Sequence, residues 1–346
     1  MGREGLKGGA AGEVSPIPTN MRAVLTTTYG GPEVARLGEI PVLSPGPKEL
    51  LVKIHASTVN RTDCAYRAGA PRIARAVYGL TAPNSKVLGC EFAAQVVEAG
   101  DEAKGEFSVG DHIFGYVEGQ ESGGHAEYMV VPADGSIARI PDGVSFESAA
   151  AATEGAHYAL AMMRRAGVGS GTKVLVNGAT GSIGSAAVQL CVAAGAEVTA
   201  VCGGQHIQVV RRMGAARVID YETEDFTALD MEEAFDVVLD AVGKSTFGKC
   251  RRLMKANGIY TSSELGPWWQ NPFLALVTLW FPWRRLIFPI PVHDKAMVEY
   301  FASLQVQGKY KPLIDREYRM EHIIEAYTYV ESGRKIGNVI LKVCTR

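Results

Sequence analysis

Three glycines stand between an apolar run and a helix-like segment, and their spacing could hold a phosphate. The apolar run is Val174-Leu175-Val176. Glycines at such a turn let backbone N–H groups approach a pyrophosphate, and the start of the helix attracts its negative charge. The spacing is G-x-x-G-x-x-G rather than G-x-G-x-x-G, and a turn that needs glycine only for packing is the alternative. We predict that a dinucleotide contacts Gly178, Ala179, Thr180, Gly181, Ser182, Ile183 and Gly184.

The end of the next strand should indicate which dinucleotide binds. A site for NAD normally has an acid there, which binds the 2′-hydroxyl of the adenosine ribose. The corresponding residues are Cys202, Gly203 and Gln205, and there is no acid among them. We therefore expect NADP(H) to be preferred over NAD(H). Arg211 and Arg212 follow, either as contacts of the 2′-phosphate or as a solvated helix face.

The elements that must position this turn follow from the pattern of the whole chain. Residues 21–144 consist of short β-rich pieces separated by Gly and Pro, which is typical of a compact β domain. A helix-like segment begins with Ser145 as its cap, and strands then alternate with helices, which indicates a parallel sheet. From His293 the chain returns to a helix and a last strand. The predicted fold class is α/β.

Length, charge and cysteine content narrow the class of protein further. The chain of 346 residues suggests about two domains. A net charge of −2 gives no reason to expect nucleic acid as a partner. The six cysteines form no close C-x-x-C pair, which favours a reducing compartment. Residues 1–20 are rich in Gly, Ala and Pro without a secretory core, so we expect a disordered extension on a cytoplasmic protein.

An ordered set of motifs resembles one family. The motifs are NRTD at residues 60–63, LGCEFAAQV, VGDHIFG, GGHAEYMVVP, NGATGSIG, ARVIDY and DVVLDAVG. Together they resemble the medium-chain dehydrogenases/reductases, and among these the zinc-independent, quinone oxidoreductase-like branch that includes zeta-crystallin. The resemblance implies a GroES-like catalytic domain at 21–144, completed by 293–346, and a doubly wound Rossmann NADP-binding domain at 145–292. It also implies a homodimer.

The same comparison of motifs argues against a metal. Zinc-dependent members of the family carry cysteine where this chain has Asn60, and histidine where it has Cys90 between Gly89 and Glu91. The structural lobe with four cysteines is also missing. Zinc in proteins takes four N, S or O ligands in a tetrahedral array, and an amide is a poor ligand. We predict no zinc site.

The resemblance suggests which residues act on the substrate. It places Asn60 near the nicotinamide and the reacting carbonyl. Tyr66 is the nearest phenol that can donate a proton, although some relatives carry the tyrosine one position earlier, at Ala65 here. A core aromatic is the alternative role of Tyr66. Asp63 completes the predicted catalytic set, and its alternative role is to hold the loop.

The resemblance also adds residues to the cofactor site. Thr153 matches a position close to the nicotinamide, with a helix-interior threonine as the alternative. Tyr221 matches a position near the adenosine phosphate. The remaining residues, from strand ends and from the last strand, are Ala241, Val242, Gly243, Leu265, Gly266 and Asn338.

A tryptophan-rich stretch, residues 265–291, follows the strand that should end at the nicotinamide. It contains all four tryptophans of the chain. We favour packing in the core or in a dimer, place an apolar wall for the substrate second, and do not expect contact with a membrane surface. The stretch is too short between its prolines to span a bilayer.

These patterns together predict a zinc-independent, NADPH-dependent reductase of quinones or α,β-unsaturated carbonyls with a hydrophobic small-molecule acceptor. A conjugated carbonyl is its own electron sink, so hydride transfer needs orientation and hydrogen bonds rather than a metal. The near alternative is a metal-free alcohol or ketone oxidoreductase. The alternative from another class is a non-catalytic NADPH-binding sensor or structural homologue.

Overall fold

The computed structural model describes residues 16–117, 123–230, 232–280 and 283–344. The first fifteen residues of the predicted extension therefore lie outside the described residues, and the first strand already begins at Asn20. The strands are β1 (Asn20–Leu25), β2 (Arg36–Pro41), β3 (Glu49–Val59), β4 (Glu91–Ala99), β5 (His112–Tyr116), β6 (Tyr128–Pro132), β7 (Ile137–Arg139), β8 (Lys173–Asn177), β9 (Glu197–Cys202), β10 (Arg217–Asp220), β11 (Phe235–Asp240), β12 (Met254–Ser262), β13 (Arg285–Ile287), β14 (Ile314–Arg319) and β15 (Asn338–Lys342). The helices are α1 (Arg61–Ala68), α2 (Arg75–Tyr78), α3 (Phe146–Ala150), α4 (Glu154–Arg165), α5 (Ser182–Ala193), α6 (Ile207–Arg212), α7 (Phe247–Cys250), α8 (Gln270–Thr278), α9 (Lys295–Val306) and α10 (Ile323–Glu331).

Six strands form a parallel sheet in the order β10-β9-β8-β11-β12-β13. On one side of the sheet the chain runs outward from β8 through β9 to β10. On the other side it runs outward from β11 through β12 to β13. The strand order therefore reverses beside β8, as in a Rossmann fold. Val174, Leu175 and Val176 of β8 are fully buried because this strand lies in the middle of the sheet. The predicted alternation of strands and helices is confirmed.

A second, mostly antiparallel sheet contains strands from both ends of the chain, in the order β14-β15-β3-β4-β5-β7, with β6 paired to β3. The last strand, β15, lies beside β3, where Val339 is opposite Val59. The predicted α/β class, with a GroES-like domain and a Rossmann domain, is confirmed. Within the described residues, no helix is long and apolar enough to cross a membrane.

The long helix predicted from Ser145 onward is two helices. Ser145 caps α3, whose first turn donates the backbone N–H of Ser148 to the Ser145 hydroxyl. The chain then breaks before α4, because the backbone N–H groups of Thr153 and Glu154 donate to the carboxylate of Glu91 in the other domain. A charged cap supplied by a distant strand is invisible to helix periodicity.

The two domains meet at the glycine turn. The backbone N–H of Gly337 donates to the carbonyl oxygen of Thr180 at 2.6 Å, and Gly181 and Gly337 form an isolated parallel bridge. Next to this bridge, the Ser182 hydroxyl donates to Oδ1 of Asn338 at 2.6 Å. The C-terminal segment therefore closes one side of the turn.

Candidate active site

The predicted cofactor residues lie in one row along the carboxyl edge of the parallel sheet. The loops after β9, β8, β11 and β12 are neighbours there, because these strands are neighbours in the sheet. At about 4.8 Å between strands, the row is roughly 14 Å long, which suits an extended dinucleotide. The loop residues are Cys202, Gly203 and Gln205, then the turn 178–184, then Ala241, Val242 and Gly243, then Leu265 and Gly266.

The three glycines of the turn have different roles. Gly178 has a φ of +80°, and a Cβ there would lie 2.7 Å from Cβ of Val242. A Cβ on Gly184 would overlap the carbonyl oxygen of Gly178. These two glycines are required by the packing of the protein itself, as the alternative interpretation of the turn supposed.

Gly181 is different because the protein leaves space beside it. The nearest protein atom to a Cβ at this position is the carbonyl oxygen of Gly178, at 3.7 Å, which is ordinary van der Waals contact. Gly181 is also the N-cap of α5, where it offers no side-chain oxygen to the first-turn N–H groups. Open space next to helix N–H donors fits the close approach of a pyrophosphate.

A buried aspartate fixes the neighbouring loop. Oδ1 of Asp240 accepts hydrogen bonds from the backbone N–H groups of Val242 and Gly243, at 3.2 and 3.0 Å, and from Nδ2 of Asn177 at 3.0 Å. Its Oδ2 accepts from the Tyr260 hydroxyl at 2.9 Å, and burial raises the pKa of that phenol. The sequence analysis missed Asp240, although its place as the last residue of an apolar strand was a usable signal.

The loop after β12 contains a polar atom without a partner. Within the described part of the chain, the buried Oγ of Ser263 has no hydrogen-bond partner. It lies directly after β12, beside the predicted Leu265 and Gly266. A buried hydroxyl of this kind normally binds a protein group, a water or a ligand. Together with the space at Gly181, it shows that the row of loops fits a bound dinucleotide.

The end of the row at β9 contains acids that were not predicted from the sequence. A Cβ on Gly203 would lie 3.2 Å from a carboxylate oxygen of Glu222 and 3.4 Å from the hydroxyl of Tyr221. A Cβ on Gly204 would overlap the carboxylate of Asp220. These residues reach the end of β9 from the next strand, because β10 is its parallel neighbour. The predicted Tyr221 does lie beside this position.

Asn60 and Asp63 form the cap of α1. Oδ1 of Asn60 accepts from the backbone N–H of Asp63 at 2.9 Å, and Oδ2 of Asp63 accepts from the backbone N–H of Asn60 at 3.1 Å. Asp63 is fully buried, which raises its pKa, and Oδ1 also accepts from the backbone N–H of Gly89. With these contacts Asp63 holds the loop, while Nδ2 of Asn60 donates to Sγ of Cys90 at 3.2 Å.

Tyr66 lies at the other end of α1. It is six positions after Asn60, which corresponds to about 9 Å along a helix axis. Its ring packs edge-on against Tyr78, with 4.3 Å between ring centroids. It lines an open pocket with Val77, Tyr78, Pro83, Asn84, Ser85 and Leu88. The structure thus places Tyr66 in an apolar wall and does not bring it next to Asn60 in the helix cap.

Thr153 contacts a buried carboxylate. Its hydroxyl donates to Oε1 of Glu91 at 2.8 Å, and its backbone N–H donates to the same atom at 3.0 Å. Oε2 of Glu91 accepts from the hydroxyl of Thr58 at 2.5 Å. Burial raises the pKa of Glu91, and these donors act in the opposite direction. Thr153 is the N-cap of α4 rather than a helix-interior residue.

The positions that the sequence comparison matched to the zinc ligands of relatives are Asn60 and Cys90. Asn60 offers an amide, and burial raises the pKa of Cys90 well above that of a free thiol. Burial also raises the pKa of Cys64 to about 12. Within the described residues, no group of three or more His, Cys, Asp or Glu side chains is arranged to hold a metal ion.

The tryptophan-rich stretch is exposed on this chain. Trp268 is 99% exposed and Trp280 is 89% exposed, and Phe273 and Leu276 of α8 also face solvent. Core packing, one half of the favoured interpretation, is therefore wrong for these side chains. The helix packs on the sheet with Leu274 and Ala275 instead. Residues 281 and 282 of the stretch lie outside the described residues.

Comparisons with known proteins agree with this architecture. A family model described as Alcohol dehydrogenase GroES-like domain matches residues 46–142, and one described as Zinc-binding dehydrogenase matches residues 213–341. The 2-methylene-furan-3-one reductase of Solanum lycopersicum is 29% identical over 96% of this chain and 82% of its own length. The mitochondrial NAD(P)H oxidoreductase RTN4IP1 of Bos taurus is 28% identical over 95% of this chain and 91% of its own.

A solved structure extends the comparison to the fold. The quinone oxidoreductase from Coxiella burnetii superposes with a TM-score of 0.82 at 25% identity, covering 94% of this chain and 100% of its own. The two family models, the relatives and this structure point to the same group of enzymes. The chain is therefore similar over nearly its whole length to nicotinamide-dependent oxidoreductases, quinone oxidoreductases among them, and it has the fold of the medium-chain dehydrogenases/reductases.

Proposed function

We propose that this chain reduces quinones or α,β-unsaturated carbonyls with NADPH and without zinc. The observation that carries the proposal is the position of Asn60, a neutral amide at the buried start of α1 next to a protonated thiol. Nδ2 of Asn60 donates to Sγ of Cys90 and to Oγ1 of Thr58, and a bound carbonyl oxygen would take over one of these uncharged donors. A conjugated acceptor, which spreads the incoming electron pair over its own carbonyl, needs no more than this.

The role of this chain's own residues is to bind and orient the cofactor and to shield the reacting atoms. A bound nicotinamide supplies the hydride. The N-terminus of α5 would hold the pyrophosphate beside Gly181, and Asp240, which fixes the loop after β11, would hold that loop in place for the next part of the cofactor. The C-terminal segment at Gly337 and Asn338 closes the turn from the other domain. Together these contacts keep the reacting atoms in one geometry, which is the main contribution of such a protein.

The pocket lined by Tyr66 suits the apolar part of the acceptor. Its wall is mainly apolar and aromatic, with Val77, Tyr78, Pro83 and Leu88 beside Tyr66. It opens next to α1, the helix whose cap carries Asn60. Apolar walls with few polar groups are typical of sites for small hydrophobic ligands.

The preference for NADPH is a finer part of the proposal. It is supported by the lack of an acid at the end of β9 and by the relative named as an NAD(P)H oxidoreductase. The carboxylates of Asp220 and Glu222 beside Gly203 and Gly204 act against a 2′-phosphate. We therefore propose a small preference for NADPH rather than exclusive use of it.

We also propose that the protein is a homodimer and that the exposed face of α8 lies in its interface. This face is apolar and exposed, and α8 lies along β13, the last strand of its sheet, where the Thr278 hydroxyl bonds both backbone groups of Leu286. The cytoplasmic location stays a prediction, and one relative is named as mitochondrial.

The test is the oxidation of NADPH and NADH by the purified protein with quinones, enones, simple ketones and alcohols as partners. The proposal expects turnover with quinones or enones, faster with NADPH. Turnover restricted to ketones and alcohols would replace it with the metal-free alcohol or ketone oxidoreductase. Tight cofactor binding without any turnover would favour a sensor. Stoichiometric zinc, with activity lost on chelation, would refute the metal-free part.

A further inference from the structure

A buried carboxyl group that the proposed function has not used lies where the two domains meet. Glu154 is the first residue of α4 and is only 4% exposed. Its Oε1 lies 2.9 Å from Oγ1 of Thr62, which is 92 residues earlier in the chain. Thr62 is half-buried on α1, two residues after Asn60. The contact therefore joins the two domains beside the predicted site of the reacting carbonyl.

Two buried carboxyl groups are adjacent here, and their surroundings differ. The backbone N–H of Glu154 donates to Oε1 of Glu91 at 2.6 Å. Counting this bond, Glu91 accepts four hydrogen bonds, from Thr58, Thr153 and Glu154, so it is well suited to carry a negative charge. The carboxyl of Glu154 faces a single hydroxyl, that of Thr62, among its described hydrogen bonds.

The two environments separate the pKa values of the pair. Burial, together with the charge of Glu91, raises the pKa of Glu154 to about 8. At neutral pH the Glu154 carboxyl is then protonated while Glu91 is ionised, since like charges this close do not both persist. With the proton on Glu154, the same contact allows Glu154 to donate to Oγ1 of Thr62, and the Thr62 hydroxyl to donate onward.

Charged and titratable groups of several elements act on this carboxyl. Half-buried Lys335, before β15, lowers the pKa of Glu154, while Asp63 of α1 raises it. Lys335 itself donates to the carbonyl oxygen of Gly337 at 2.6 Å, in the segment that closes the glycine turn. Burial lowers the pKa of Lys335 itself while the charges of Glu154 and Glu91 act in the opposite direction, so a carboxylate on Glu154 and an ammonium on Lys335 stabilise each other. The groups that interact electrostatically with Glu154 are Glu91, Asp63, Cys90, Tyr310 and Lys335.

We propose that Glu154, acting through the hydroxyl of Thr62, supplies the proton that completes reduction of the acceptor. The inference rests on the proposed function. The hydride adds to the acceptor carbon, and the electron pair moves to its oxygen. That oxygen forms an O–H bond with the proton of the Thr62 hydroxyl, while Thr62 takes the proton of Glu154. The products are an enol and a Glu154 carboxylate, which regains its proton from water after product release. When the acceptor is a quinone, this enol is the keto tautomer of the hydroquinone and isomerises to it.

Glu154 acts through another residue, so it is a positioning and proton-storing residue rather than one that touches the substrate. Its role predicts a pH profile. In the wild type, kcat should fall above about pH 8, because the stored proton is lost there. Glu154→Gln should lower kcat by about 100-fold, the usual scale of general acid catalysis, and remove the fall. Thr62→Val should lower it similarly, and Thr62→Ser should restore most of the rate.

A second measurement reports the carboxyl without turnover. The infrared difference spectrum of the protein across pH 8 should show loss of the C=O stretch of a buried protonated carboxyl. The band should be present in the wild type and in Thr62→Val, and absent in Glu154→Gln. Glu147→Gln, in the preceding helix α3, is the matched control and should change neither the band nor the pH profile.

The outcomes separate the two proposals. If the wild type reduces quinones or enones and Glu154→Gln keeps the same kcat and the same fall above pH 8, the proton path is refuted while the function stands. A wild-type infrared spectrum without the band at pH 7 also refutes it. If the band titrates as expected but no acceptor is reduced by the wild type, the proposed function fails instead.

Discussion

Replacing Gly181 by alanine should separate the cofactor role of the turn from its structural role. The nearest protein atom to the new Cβ is 3.7 Å away, and the backbone angles of Gly181, φ −69° and ψ 172°, are allowed for alanine. The free protein should therefore keep its stability within about 1 kcal/mol. Gly184→Ala is the opposite case, since its Cβ overlaps the Gly178 carbonyl oxygen and should cost about 1–3 kcal/mol of unfolding free energy.

The expected loss of cofactor affinity follows from the space that the methyl group fills. A Cβ beside the start of α5 keeps a phosphate oxygen from at least one backbone N–H. A hydrogen bond to a charged group contributes about 1.5–3 kcal/mol. A loss of about 2 kcal/mol corresponds to roughly a 30-fold weaker Kd for NADPH, at 1.4 kcal/mol for each factor of ten.

The assay combines urea unfolding of the free protein with calorimetric titration of NADPH. Gly169→Ala is the matched control, because no atom lies within 4 Å of its Cβ, and it should change neither quantity. Gly181→Ala with unchanged stability and about 30-fold weaker binding would support the assignment. Gly181→Ala with wild-type affinity would show that the pyrophosphate does not bind at this turn.

Three further predictions test other parts of the structure. Glu222→Lys should tighten NADPH binding by about 30-fold and leave NADH unchanged, because an exposed charge near a 2′-phosphate is worth about 1 kcal/mol for each unit and this substitution changes the charge by two units; equal changes for both cofactors in a titration would contradict the placement of Glu222. Trp280→Ser combined with Trp268→Ser should shift the protein towards the monomer in sedimentation experiments, and an unchanged dimer would place the interface elsewhere. Burial of protonated Glu154 should make the wild type lose stability as pH rises from about 5 to 8, because the unfolded chain releases a proton that the folded chain keeps. Glu154→Gln should remove a slope of up to about 1.4 kcal/mol per pH unit in urea unfolding, and an identical slope in both proteins would show that Glu154 is ionised in the fold.

Much of the fold could be predicted because it depends on residues that are neighbours in the sequence. The apolar run of β8 and the glycines after it are adjacent in the chain, so the strand, the turn and the start of α5 follow from local pattern. The cap of α1 is equally local, since Asn60 and Asp63 are three residues apart. The row of loops at the carboxyl edge follows from the parallel order of the strands.

The parts of the site that escaped prediction depend on contacts between distant residues. Glu91 caps α4 by accepting hydrogen bonds from the backbone N–H groups of Thr153 and Glu154, which come 62 and 63 residues later in the chain. This contact divides into two helices a segment that its composition predicts to be one helix. Glu222 reaches the end of β9 from the next strand, so a search of one strand end for an acid could not find it. The exposure of Trp268 and Trp280 likewise depends on which face of α8 the sheet already covers.

The sequence by itself determined the class of fold, the glycine turn and the resemblance to a family, because these depend on periodicity and on short motifs. Only the tertiary structure decided which glycine of the turn leaves open space beside it, which acids lie at the end of β9, and that a buried carboxyl lies beside Thr62. The physical reason is that the charge and solvation of a side chain are set by everything packed around it. For Glu154 those surroundings come from α1, from β4 and from the segment before β15.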